Sequence, residues 1–267
     1  MNIESHMHLA RYKSLLIEHL LALTVCSTML PCLVLQFLSV SLFWCLIGVV
    51  HAGHMEKRGS QCILTPGGAG VDDSPAILNA FKQCGQNGHI VFQNTTYHIE
   101  KVMNTTGLLN CVVDIKGTLL WGTNISYWLN NSLPIGYQNQ TSAWFLGGTN
   151  LTVQGFGYGT LDGNGQKWYD YTKGVSNLAG RPHALTIWGT KKSLFQGLRF
   201  VQSQMWTMTV AHSEDVLLEN IFVSSRSSNS NPARNTDGAD TLASNRITFR
   251  GWEIDNGDDS IGTAQPV

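Results

Sequence analysis

Gly197-Leu198-Arg199-Phe200, Asn220-Ile221-Phe222-Val223 and Gly251-Trp252-Glu253-Ile254 are three copies of one pattern. The second copy follows the first by 23 residues and the third follows by a further 31. Upstream of each, Ser193-Leu194-Phe195, Val216-Leu217-Leu218 and Ile247-Thr248-Phe249 occupy equivalent places. Short strands recurring at a period in the twenties bury their apolar face only by stacking on the next turn of chain. They therefore predict a right-handed parallel β-helix. The extra residues before the third copy are a polar loop, 224–234, of the kind that sits on one face of a solenoid, often the binding face. A β-sandwich would favour tight two-residue hairpin loops, and none is clearly placed between strands here.

Working outward, His89–Phe92, Val112–Ile115, Leu119-Leu120-Trp121, Leu151-Thr152-Val153, Leu185–Trp188 and Met208-Thr209-Val210 all read as short strands between turn residues. Upstream of them, Asp72, Asp73 or Ser74 can cap a helix whose first position suits Pro75. Ala76 to Phe81 has helical apolar spacing that ends near Cys84-Gly85. An amphipathic helix there would cover the open end of the solenoid, where strand edges are unpaired. The expected class is all-β, a parallel β-helix with an N-terminal capping helix. Two stretches break the repeat: 122–142, with Tyr127, Trp128 and Tyr137, and 163–181, with Trp168, Tyr169 and Tyr171. These aromatics either wall a cleft or pack the loops onto the solenoid.

A chain of 267 residues can bury one sizeable core. Its net charge of −1, with 13% charged residues, lacks the basic patch that nucleic acid would require. From Leu20 to Val50 there is no charged residue. Read from Met29, Leu33 to Val50 is an apolar run and Val50-His51-Ala52 a small-residue cleavage site. Residues 1–52 are thus expected to be an upstream extension and secretion signal, and 53–267 the mature domain. A retained membrane anchor is the alternative. Cys26, Cys32 and Cys45 fall in the signal region. Secretion permits disulfides, so Cys62 and Cys84 are expected to bridge the N-terminal strand and the helix, leaving Cys111 as a buried thiol. Asn94, Asn104, Asn124, Asn130, Asn139 and Asn150 begin Asn-x-Ser/Thr sequons and mark candidate glycosylated loops.

The chemistry concentrates near the C-terminus, in Asn235-Thr236-Asp237-Gly238-Ala239-Asp240 and Asn256-Gly257-Asp258-Asp259-Ser260. Asp237 and Asp258 are 21 residues apart, about one solenoid turn, and stacked coils lie about 4.8 Å apart. Carboxylates that close repel, so one should keep its proton and the others should stay ionised. A protonated carboxyl can donate to a glycosidic oxygen while an ionised one takes a proton from water. Alone, Asn-Thr-Asp-Gly reads as a turn and Asp-Asp as a solvated loop. Three carboxylates could also hold Ca²⁺.

Asn235-Thr236-Asp237 and Gly257-Asp258-Asp259 resemble the first two signatures of glycoside hydrolase family 28, the polygalacturonases and their relatives. The Asp72-Asp73-Ser74-Pro75-Ala76 segment and Gly159-Thr160-Leu161-Asp162-Gly163-Asn164-Gly165, with Trp168 after it, extend the resemblance over most of the mature chain. It implies a right-handed parallel β-helix and inverting hydrolysis, with Asp259 as general acid and Asp237 and Asp258 holding and activating the water. Asn235 and Asp240 would support the site. No cofactor or metal is implied. The implied partner is a pectic polysaccharide, met outside the cell by a monomer with no stable membrane association after signal cleavage. Two later family signatures, Gly-His-Gly and an Arg-Ile-Lys type segment, do not occur before Val267. Residues 262–267 do not read as a solenoid strand, so a C-terminally truncated domain is expected.

His183 and His212 could be proposed to replace the missing histidine, but each reads first as a structural or solvated residue. His212 is the one expected near the solenoid edge that carries Asp237. Loops 122–142 and 163–181 could close one end of a groove, which favours exo action, and the Gly238-Ala239-Asp240 continuation and Ser260 resemble exo-acting members of that family, so exo action on galacturonan or rhamnogalacturonan is expected. A lyase would need Ca²⁺ or a basic residue near the acids, where Arg234 and Arg246 are close in sequence. A non-catalytic carbohydrate-binding β-helix is the third reading.

Overall fold

The computed structural model describes residues 52–264, so the signal-region expectations for residues 1–51 lie outside the described residues. The chain winds through three parallel faces. The first stacks Gln61–Thr65, His89–Phe92, Val112–Ile115, Thr152–Gln154, Lys191–Gln196, Glu214–Glu219 and Asn245–Arg250. The second stacks Thr96–Ile99, Thr118–Trp121, Thr160–Asp162, Arg199–Val201, Phe222–Ser224 and Glu253–Asp255. The third stacks Met103–Leu109, Trp144–Thr149, Leu185–Trp188, Met208–Ala211, Ala239–Leu242 and Ile261–Ala264.

The register is the one the repeat predicts. Ser193 pairs with Val216 and Val216 with Ile247, while Arg199 pairs with Phe222 and Phe222 with Glu253. Alternate residues point inward. Phe195 and Leu218 from the first face and Phe200 and Val223 from the second are buried in the bore. Trp121 and Trp144, 6.3 Å apart at their centroids, fill it farther down, with Phe81 edge-on to Trp144.

Phe81 belongs to helix α1 (Ser74–Cys84), which buries Ile77, Ala80 and Phe81 on one side. Pro75 is in its first turn and Asp73 is the N-cap residue, but the Asp73 side chain makes no cap bond. Its two oxygens accept from the N–H groups of Gly67 and His98 instead, tying the helix to neighbouring chain. Cys62 and Cys84 are bridged, and Cys111 is a buried free thiol beside them.

Each interruption of the repeat holds a short helix, α2 (Ile125–Asn131) and α3 (Gly165–Thr172). Trp128, Trp168 and Tyr169 are buried, so these three pack the loops rather than line a cleft, whereas Tyr171 is exposed. All six sequon asparagines are exposed. The expectation for the tail is corrected within the described residues: Ile261–Ala264 is a strand, paired with Ala239–Leu242. Parallel pairing is made by main chain alone, so a segment with a weak side-chain pattern can still extend a ladder.

The long turns all join the second face to the third. Segments 122–143, 163–184, 202–207, 225–238 and 256–260 therefore share one corner of the solenoid. Both interruptions and the polar insertion rise beside the two acidic clusters.

Candidate active site

Asp237 sits where the polar insertion returns to the third face, and Asp258 and Asp259 sit in the equivalent turn one coil on. The two turns are laced together. Thr236 Oγ1 donates to the Ala233 carbonyl and accepts from Gly257 N–H at 2.9 Å. Gly238 N–H donates to the Asp259 carbonyl at 2.9 Å and Ala239 N–H to that of Ser260 at 3.2 Å. Glycine is required at 238 and 257 because a Cβ would collide with the Ser260 and Ala233 carbonyls. Asn235 adopts φ 52°, a left-handed conformation that suits asparagine.

This lacing brings one carboxylate oxygen from each of Asp237, Asp258 and Asp259 within 4.8 Å of the others. Asp258 is oriented by main chain, accepting from Asn235 N–H at 3.2 Å and Asp259 N–H at 3.1 Å. Asp237 and Asp240 are each 5% exposed, and each has one buried oxygen without a hydrogen-bond partner. Burial, reinforced by Asp258 and Asp259, pushes the Asp237 carboxyl up to about 7. Burial, reinforced by Asp237, Asp259 and Asp258, pushes Asp240 up to about 8. The proton store expected from like-charge crowding thus lies on the two buried carboxyls, with desolvation as the larger cause. The three clustered oxygens could contact a hard cation, though Ca²⁺ normally takes more ligands than three.

Arg181 is a component that sequence reasoning missed. It is 1% exposed, and its guanidinium donates to the carbonyls of Gln204, Ser176 and Arg234. Burial lowers it to about 10, which leaves it cationic at neutral pH, and its charge opposes the rise at Asp237. No motif marks it, because loops from three coils bring its partners together. Asn177 was missed for the same reason; its Oδ1 accepts from Asn235 Nδ2 at 3.3 Å. With Gln138, Gln140, Arg181 and Met205 it lines a groove of about 140 Å³.

The histidines are placed elsewhere. His183 is fully buried, shares a 2.6 Å hydrogen bond with Thr209 Oγ1, stacks on Trp206 and is pushed down to about 3 by burial and then by Arg181. It is a neutral structural imidazole. His212 follows Met208–Ala211, whereas the Asp237 carbonyl accepts from Thr207, before that strand. His212 therefore sits at the far end of the strand from Asp237, against the edge of Trp188, and does not share its edge as expected. Arg246 lies on the first face, paired with Glu214 and Asp215, away from the acids. A groove of about 520 Å³ on that same face holds none of the clustered carboxylates.

Residues 98–265 match the model of the glycosyl hydrolases family 28. The alpha-L-rhamnosidase rgxB of Aspergillus niger is 52% identical over 76% of this chain and 47% of its own length. An exopolygalacturonase of Cochliobolus carbonum is 40% identical over 77% of this chain and 46% of its own. The chain spans about half the length of these curated relatives. Among solved structures, the endo-xylogalacturonan hydrolase of Aspergillus tubingensis superposes with a TM-score of 0.67 at 30% identity, covering 75% of this chain and 53% of that one.

Proposed function

The chain belongs to glycosyl hydrolases family 28, and from that premise we propose that it is the carboxylate-bearing part of an exo-acting, inverting pectin hydrolase. The observation that carries this reading is the convergence of Asp237, Asp258 and Asp259 at one corner of the solenoid, on turns of successive coils. In the proposed mechanism Asp259 protonates the leaving glycosidic oxygen with a proton passed on from the neighbouring Asp237 carboxyl, and Asp237 and Asp258 bracket the attacking water. The closest oxygens are nearer than the gap usual for inverting pairs. A third carboxylate supports inversion all the same, because two groups can hold water while another delivers the proton. Asp258, fixed by two backbone N–H groups, is the base. Asp237, protonated below about 7, orients the water.

The 52% identity to a rhamnosidase, against 40% to an exopolygalacturonase, favours release of terminal rhamnose over galacturonate. Loops 122–143 and 163–184 leave the same corner of the solenoid as the acids, and an exo mode of action would have them block one end of the substrate path so that single sugars are removed. The disulfide and six exposed sequons support an extracellular location. Among the described residues, no helix is long and apolar enough to cross a membrane.

The test is product analysis after incubation with rhamnogalacturonan and with polygalacturonan at mildly acidic pH, with chelator present. A saturated monosaccharide is expected, of inverted configuration by proton NMR at early times. Asp259→Asn should abolish release while leaving the circular dichroism spectrum unchanged. Unsaturated products would make the protein a lyase, and no product from the folded chain would make it an inactive truncated family member or a binding module.

A further inference from the structure

At the corner between the first and second faces, three successive coils turn with two residues: Gly197-Leu198, Asn220-Ile221 and Gly251-Trp252. The coil below them, between Gln154 and Thr160, inserts Phe156, Gly157 and Tyr158. The insertion does nothing for the core, because Phe156 is 44% and Tyr158 50% exposed. It also carries a conformational cost. Phe156 has φ 57°, a left-handed conformation rare for a bulky side chain, where neighbouring corners use Gly197, Asn220 and Gly251. Burial does not offset that cost, so folding alone does not account for the ring.

The turn is rigid. Tyr158 N–H and Gly159 N–H both donate to the Gly155 carbonyl, Gly157 N–H donates to that of Gly197 at 2.8 Å, and Thr160 Oγ1 donates to that of Tyr158 at 2.8 Å. It holds the two rings 6.1 Å apart and tilted 30° to one another. Beside them runs a groove of about 310 Å³ edged by Gln154, Gln196 and Asn220. Lys116 Nζ stands 5.4 Å from the Phe156 centroid and 3.4 Å from Asp114, whose carboxylate also meets His89. Arg199 lies one strand over from Thr160, its guanidinium on the Phe222 ring.

We infer that Phe156 and Tyr158 form a second, non-catalytic binding site for a uronate-bearing polysaccharide. The aromatic faces take the apolar faces of sugar rings, the amides take hydroxyls, and Lys116 takes a carboxylate. A pre-formed aromatic surface loses little freedom on binding. The site lies on the edge of the second face opposite the acidic corner, two coils below the strand that leads to Asp237. It would hold polymer to the enzyme without contacting the reacting bond, and its existence does not depend on turnover.

The test is affinity electrophoresis of the full chain in native gels cast with polygalacturonate, in an Asp259→Asn background so that the polymer stays intact. Retardation is expected. Phe156→Gly and Tyr158→Ala should each weaken it about tenfold, and Lys116→Gln should weaken it less. Glycine suits the φ at 156, so Phe156→Gly should unfold at the same temperature as the parent or higher, which separates loss of binding from loss of fold. The inference is overturned by an unretarded parent, by retardation that survives both aromatic variants, or by equal retardation in neutral galactan. Because the gel reads binding alone, those results leave the proposed hydrolysis to its own test.

Discussion

Asp237 and Asp240 are three residues apart, and both are buried against the same two acidic neighbours. Their folded-state values of about 7 and about 8 stand well above the 3.8 of a free aspartate. Between those limits the native state binds more protons than the unfolded chain, so stability falls as pH rises. The contribution is fully present below about pH 4 and is lost as pH climbs through about 8, at up to about 1.4 kcal/mol per pH unit for one proton. Urea unfolding at a series of pH values should show stability declining from pH 4 to 8. Asp240→Asn should flatten that decline, since an amide keeps the shape without the titration. An unchanged slope in the variant would place the linkage on another group. The acids were legible in the sequence because a 21-residue spacing is about one coil. Which carboxyls kept a proton was not, because the burial of Asp237 and Asp240 is set by turns of neighbouring coils that no local motif announces.

Helix α1 shows which features of an element are local. Its position followed from Pro75 and the apolar spacing of Ile77, Ala80 and Phe81, all properties of a few neighbouring residues. The role of Asp73 could not be read locally, since its carboxylate serves Gly67 and His98 rather than its own helix. The disulfide closes a loop with a sequence separation of 22 and fastens the helix to strand Gln61–Thr65. A closed loop of that size stabilises by about 3 kcal/mol, chiefly by restricting the unfolded chain. Cys62→Ala with Cys84→Ala should lower the thermal midpoint by roughly 10 °C. The drop should match that of the parent chain measured in reductant. A parent chain indifferent to reductant would show that packing of Ile77 and Phe81 holds the cap without the bridge.

Across the whole molecule, three faces of in-register strands leave each coil touching only the coils above and below, so stability should behave as a sum of nearest-neighbour terms. The repeat in the sequence made this architecture readable, because Phe200 and Val223 recur at the same place in adjacent coils and are paired as predicted. The strand Ile261–Ala264 escaped detection because its ladder rests on main-chain bonds with little inward side-chain pattern. Phe200 is fully buried between Leu161 below and Val223 above. Phe200→Ala should cost about 3–5 kcal/mol and open the stack locally. Native-state hydrogen exchange should then speed up most in Thr160–Asp162 and Phe222–Ser224, through openings confined to those coils. Amides of Gln61–Thr65 and α1, several coils away, should keep their parent rates under conditions where local opening dominates. If every strand lost protection equally, the solenoid would be opening as one cooperative unit, and the nearest-neighbour account would fail.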